Sequence, residues 1–217
     1  MGKTDVAPAI RSGRPRRFGT EDELRILLNA AFVVMERNGY TDAAVADILD
    51  EADLSTRSFY RHFESKDQLL CALFRREADA AAALLGTKVD AAPTPREALR
   101  VWIDEILGFG HDRARAARIR VLGSPGAMRA EGYAEEMNHA ARILTGPLED
   151  LLRRGAADGS FPRADPTADA PLIQSVVWAA AGLNPARDTP SSRSEAAHHV
   201  RSFCERALGV TTATSAT

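Results

Sequence analysis

The chain has 217 residues, 45% of them hydrophobic and 27% charged, with 28 basic and 30 acidic side chains and a formal net charge of −2. A chain of this length allows one or two domains and buries roughly 70% of its unfolded surface, and none of its apolar runs approaches the ~18 residues that a membrane span needs. The 39 alanines, set against few β-branched residues, favour an all-α fold, and two cysteines, Cys71 and Cys204, make neither a disulfide framework nor a Cys-rich zinc site.

Residues 1–19 lack hydrophobic periodicity, contain Pro8, Gly13, Pro15 and Gly19, and carry Arg11, Arg14, Arg16 and Arg17. They read as a basic, disordered arm, and without an apolar core they are no secretory signal, so the expected compartment is the cytoplasm. Thr20 with Glu23 three residues on predicts a capping box. The helix behind it has an apolar stripe of Leu24, Leu27, Leu28, Ala31, Phe32 and Met35, and stops at Asn38-Gly39. Thr41 is the expected cap of a second helix with Val45, Ile48 and Leu49 inward. Asp53-Leu54 makes a tight turn, and Ser55 caps a third helix, Thr56 to about His62, with Phe59 and Phe63 facing inward.

Ser65 caps a fourth helix that is expected to end at Leu85-Gly86, followed by a linker over Thr87–Thr94. Pro95 opens a fifth helix holding Leu99, Trp102, Ile103, Ile106 and Phe109. A sixth covers Arg113–Leu122 and ends at Gly123-Ser124-Pro125-Gly126. A long segment from Met128 to Ala157 should be kinked or broken at Gly146-Pro147. The eighth helix, Pro166 to Gly182, is strongly apolar. Residues 183–191 form a loop, the last helix spans about Ser192–Leu208, and a Thr/Ala tail follows. That makes about nine helices.

The stretch Thr41–Leu70 carries the chemistry. Two short helices joined by a tight turn cannot bury their apolar sides alone. The first helix supplies one wall and the fourth closes the other, which is a helix-turn-helix on a three-helix core. The outward face of the third helix holds Thr56, Arg57, Ser58, Tyr60, Arg61 and His62 around its two Phe residues. Hydroxyl and basic groups there suit base edges and phosphates, and Lys66 adds a positive charge at the next helix start.

This stretch resembles the DNA-binding domain of the TetR family of transcriptional regulators. The matching residues are Asn38-Gly39-Tyr40, Thr41, Val45 with Asp47-Ile48, Ala52-Asp53-Leu54-Ser55, Phe59-Tyr60-Arg61-His62-Phe63, Ser65-Lys66-Asp67 and Leu69-Leu70. Two positions depart from the family: Leu49 where a small residue is usual, and Asp53 where Gly is usual. The resemblance implies a basic arm (1–19), a head (20–80, motif about 44–63), a ligand-binding and dimerisation domain (81–209) and a tail (210–217). It further implies a homodimer that binds a palindromic double-stranded operator and is released by a small-molecule effector.

The DNA contacts expected on this reading are Thr41, Ser55, Thr56, Arg57, Ser58, Tyr60, Arg61, His62 and Lys66, with Arg14, Arg16 and Arg17 from the arm. The expected effector pocket is lined by Trp102, Ile106, Phe109, Tyr133, Met137 and Trp178, and the expected dimer face is Leu172, Ile173, Val176 and Val177. No nucleophile elbow, phosphate loop, dinucleotide fingerprint or His/Cys/Asp cluster is present, so neither catalysis nor a metal or other cofactor is expected. The alternative is a helical enzyme or binding module whose head is vestigial; the basic and aromatic groups retained on the third helix argue against it.

Overall fold

The computed structural model describes residues 19–182 and 192–210. The arm, with Arg14, Arg16 and Arg17, the loop 183–191 and the tail from 211 lie outside the described residues. Among those described are nine α-helices: α1 (Thr20–Asp42), α2 (Val45–Ala52), α3 (Thr56–His62), α4 (Lys66–Asp90), α5 (Pro95–His111), α6 (Arg113–Leu122), α7 (Tyr133–Ala157), α8 (Pro166–Ala180) and α9 (Arg193–Ala207). A short 3-10 turn, Ala127–Arg129, sits between α6 and α7.

Two apolar cores organise these helices. The first joins Leu27, Leu28, Ala31, Val34 and Met35 of α1 to Ile48, Phe59, Phe63, Leu69, Leu70 and Leu73. It also takes in Val121, Leu122, Ala127 and Tyr133, so the head does not end at its own helices. The second runs from Leu85 and Val89 through α5, α7, α8 and α9 and includes Trp102, Leu148 and Phe161. Helix α4 belongs to both, the first half in one core and the second half in the other.

Caps explain most boundaries. Ser55, Ser65, Thr94, Asp112, Asp165 and Ser192 each accept a backbone N–H from the first turn of the following helix. Two expected caps are absent. Gly19, not Thr20, precedes α1, and the Glu23 side chain turns away to α3. Ala44, not Thr41, precedes α2 and offers no side-chain bond.

The end of α1 is a turn at Gly39, whose φ of 77° breaks the helical path before Tyr40. Asp53 stands in the left-handed region at φ 51° and ψ 44°, the conformation the Gly of related turns serves. Leu49 is buried there at 7% exposure. Helix α4 passes Gly86 and ends only at Asp90, because Leu85 and Val89 bury on one face four residues apart. Helix α7 continues through Pro147, held on both sides by buried Leu144, Leu148, Leu151 and Leu152.

Candidate nucleic-acid interface

Helix α3 is held from beneath by Phe59 and Phe63, 0% and 5% exposed. That anchoring turns Thr56, Arg57 and Tyr60 outward. Tyr60 is 62% exposed, and its ring meets Phe59 edge-on at 5.3 Å, leaving the hydroxyl end in solvent. Ser55 caps the helix by accepting the Ser58 N–H at 3.2 Å, and Ser58 itself is buried, its hydroxyl 3.2 Å from that of Ser55.

His62 and Lys66, and Arg61 in part, are engaged within the head. Arg61 Nη1 donates to Glu23 Oε2 at 2.9 Å, and His62 Nε2 lies 3.4 Å from the same oxygen. Glu23 is 8% exposed, and the His62 side chain is equally covered. The imidazole is therefore inside the head and absent from the face that α3 shows to solvent. Arg61 remains half-exposed while paired. The Glu23 carboxylate thus fastens the C-terminal end of α3 to the first turn of α1. Sequence reasoning missed this, because the partners stand 38 residues apart.

Lys66 is also occupied. Its Nζ donates to the carbonyls of Tyr40 at 2.8 Å, Thr41 at 3.1 Å and Ala43 at 2.9 Å, and sits 4.6 Å from the centre of the Tyr40 ring. The Gly39 turn leaves these carbonyls without helical partners, and the ammonium supplies three donors. Thr41 is exposed but lies against the α6–α7 connection. A Cβ on Gly126 would stand 2.3 Å from its Oγ1, so any larger residue there would push the Thr41 hydroxyl aside.

Next to it, Asp67 bridges the head to the same connection, accepting the Tyr40 hydroxyl on one oxygen and the Glu131 N–H at 2.8 Å on the other. The Tyr40 hydroxyl, followed by the Glu131 amide, holds the Asp67 carboxyl below its ordinary value of 3.8. Burial, then the bond to Asp67, raises the Tyr40 phenol above its ordinary 10.0. The Asp67 contribution to stability is complete above pH 3.8 and is lost as pH falls through the depressed value. The Tyr40 contribution is complete below pH 10.0 and is lost as pH rises through the raised value. In melting curves taken from neutral to acid pH, Tyr40→Phe should therefore flatten the acid fall in melting temperature. An acid limb as steep as in the wild type would mean that Asp67 draws its stability from elsewhere.

Residues 27–73 match the family model described as bacterial regulatory proteins, tetR family. The central part of the head is thus similar to the bacterial regulatory proteins of the tetR family. The described residues share the fold of solved TetR-family regulators. A TetR-family transcriptional regulator from Agrobacterium tumefaciens superposes with a TM-score of 0.64 at 25% identity, covering 89% of this chain and 100% of that one. The transcriptional regulator FadR from Bacillus subtilis, in complex with stearoyl-CoA, gives 0.69 at 16% identity over 84% and 98%. Reduced NemR from E. coli gives 0.70 at 18% over 83% and 96%. No curated protein matches the sequence. No helix among the described residues is long and apolar enough to cross a membrane.

Behind the head, α4, α5, α6, α7 and α8 line a half-open cavity of about 420 Å³, within the ~300–1,000 Å³ usual for small-molecule sites. Phe109 and Trp178 line it, as the sequence led us to expect; the other four expected residues do not. Trp102 is fully buried behind it, its indole N–H donating to the Leu144 carbonyl at 3.2 Å. Ile106 is equally buried in the second core. Tyr133 packs edge-on against Phe74 in the head's core, and Met137 faces solvent. Helical spacing marks an apolar stripe without telling a packed wall from a cavity wall.

The expected dimer face also divides. Ile173 and Val177 are buried in the subunit's own core, at 4% and 0%, and Val176 packs against that core in part. Leu172, 65% exposed, points outward from α8, and Phe203, 47% exposed, points outward from α9.

Proposed function

We propose that this TetR-type protein is a cytoplasmic homodimeric repressor. It binds a (pseudo)palindromic operator through α3 and leaves it when a small molecule fills the cavity. The observation that carries the reading is the outward face of α3. Thr56, Arg57 and Tyr60 are exposed on a helix whose other side is pinned by Phe59, Phe63 and the Glu23 clamp. Arg57 lies in the first turn of α3, the end that enters a major groove first. Its planar fork suits the O6 and N7 of guanine. Thr56 and the Tyr60 hydroxyl serve phosphates, which set register without reading sequence. The arm's arginines would add non-specific attraction through counterion release.

Leu172 and Phe203 supply the apolar pair for joining two subunits about a two-fold axis, which a palindromic site requires. The effector acts through α4, which belongs to both cores and also carries Lys66 and Asp67. A ligand that prefers the off-DNA spacing of the two heads shifts the equilibrium by its difference in affinity for the two states.

The test is a mobility shift at low salt with DNA from the region upstream of the protein's own gene, competed by unrelated DNA. A salt-sensitive, sequence-selective complex with two subunits per site is expected. Absence of any shift with neighbouring intergenic DNA would leave the head without a DNA-binding role.

A further inference from the structure

Helix α6 carries four arginines, Arg113, Arg115, Arg118 and Arg120, and no acidic residue in its ten positions. Arg115 and Arg118 stand three residues apart and both line the cavity. Much of the remaining wall is apolar, including Ala78, Ala81, Leu84, Ile119 and Leu144. Each guanidinium lies over an aromatic ring: Arg115 is 5.3 Å from the centre of Phe109, and Arg118 is 5.0 Å from that of Phe32 on α1.

Their acidic partners are unequal. Among the described residues the acidic partner of the Arg115 side chain is Glu105, at 3.9 Å. Arg118 donates to one oxygen of Glu77, while the other oxygen takes Arg76 Nε at 3.3 Å and Nη2 at 3.0 Å. Asp112, the second acid on the wall, accepts the Arg115 backbone N–H at 2.8 Å as the cap of α6. Each guanidinium offers five N–H donors and no acceptor, so donors outnumber acceptors along this wall.

We propose that the effector is an amphiphilic monoanion, an apolar body with one carboxylate, seated with the carboxylate on Arg118 and Arg115. This rests on the effector reading above and names its chemistry. The ligand carboxylate replaces Glu77 on Arg118 in the forked geometry that guanidinium favours. Glu77 is not left as an uncompensated charge, because Arg76 still holds it. The exchange breaks the Arg118–Glu77 tie between α6 and α4 and draws Arg118 from its seat on Phe32 of α1. A cation meets two guanidinia in the same place, and a neutral alcohol leaves the tie intact.

The probes are decanoate, decanol and decylamine, titrated below their aggregation concentrations into the full-length protein by calorimetry. Decanoate should bind about tenfold more tightly than decanol, and decylamine more weakly than either. Arg118→Gln should lower decanoate affinity about tenfold and leave decanol unchanged. Arg115→Gln breaks no close ion pair and carries the test if Arg118→Gln melts early. It should weaken decanoate about threefold and spare decanol. No decanoate binding, equal binding of decanoate and decanol, preference for decylamine, or equal losses on both probes in the variants would overturn the proposal. Decanoate binding with this pattern but without DNA release would uphold the ligand class and refute the release mechanism.

Discussion

Replacing Leu172 and Phe203 together by Asp should give a folded monomer that no longer binds an operator. Both side chains are held out from the subunit, at 65% and 47% exposure, on the two helices that close the second core. Burying a large apolar side chain contributes roughly 1.5–3 kcal/mol. A two-fold interface repeats each residue, so about four such side chains leave water together. Carboxylates there would lose that gain and place like charges face to face. Neither residue packs into the subunit's own core, so the melting curve of the isolated subunit should be little changed. Val177→Asp makes the contrast: it puts a charge at a fully buried position and should unfold the chain. Light scattering after size exclusion, with operator binding by fluorescence anisotropy, separates the outcomes. A double variant that remains a DNA-binding dimer would place the interface elsewhere.

Lys66→Met should lower stability by about 2–3 kcal/mol without changing how DNA binding depends on salt. The ammonium serves three carbonyls at the end of α1, at 2.8, 3.1 and 2.9 Å, and its removal leaves them to solvent or unpaired. For a chain of this size that is a fall in melting temperature of about 2–4 °C per kcal/mol. A phosphate contact behaves differently: its loss would lower the slope of log K against log salt by about 0.9. Operator titrations at several salt concentrations, paired with thermal melts, distinguish the two. A stable Lys66→Met protein with a reduced slope would return Lys66 to the DNA-binding surface.

What the sequence made legible was local. Ser55 and Asp53 marked the turn into α3, Phe59 and Phe63 marked its inner side, and Pro95 and the Gly123–Gly126 segment bounded α5 and α6. Each of these signals acts within a few residues. What stayed hidden was where charged side chains go across the fold. Glu23 looked like half of a capping box, yet an arginine 38 residues later claims its carboxylate, and the ring of the histidine after it lies 3.4 Å away. Lys66 looked like a free cation at a helix start, yet carbonyls 23 to 26 residues earlier claim it. The apolar stripe of α8 was visible, but its division between Val177 inside and Leu172 outside depends on how α8 packs on α5 and α7. The cavity was the least legible, since Trp102 and Trp178 share a residue type and only packing separates them.

On the function proposed above, α3 reads base sequence, and Arg57 carries the reading. The most direct measurement is anisotropy of wild type and Arg57→Ala on a panel of operators that differ by single base pairs. Arg57 is exposed in the first turn of α3 and makes no ion pair or hydrogen bond among the described residues, so its loss should leave the melting temperature unchanged. A loss of roughly 1–3 kcal/mol on the intact operator is expected, with relaxed preference at one base position in each half-site. A loss of equal size on every operator in the panel would make Arg57 a phosphate contact and contradict the assignment.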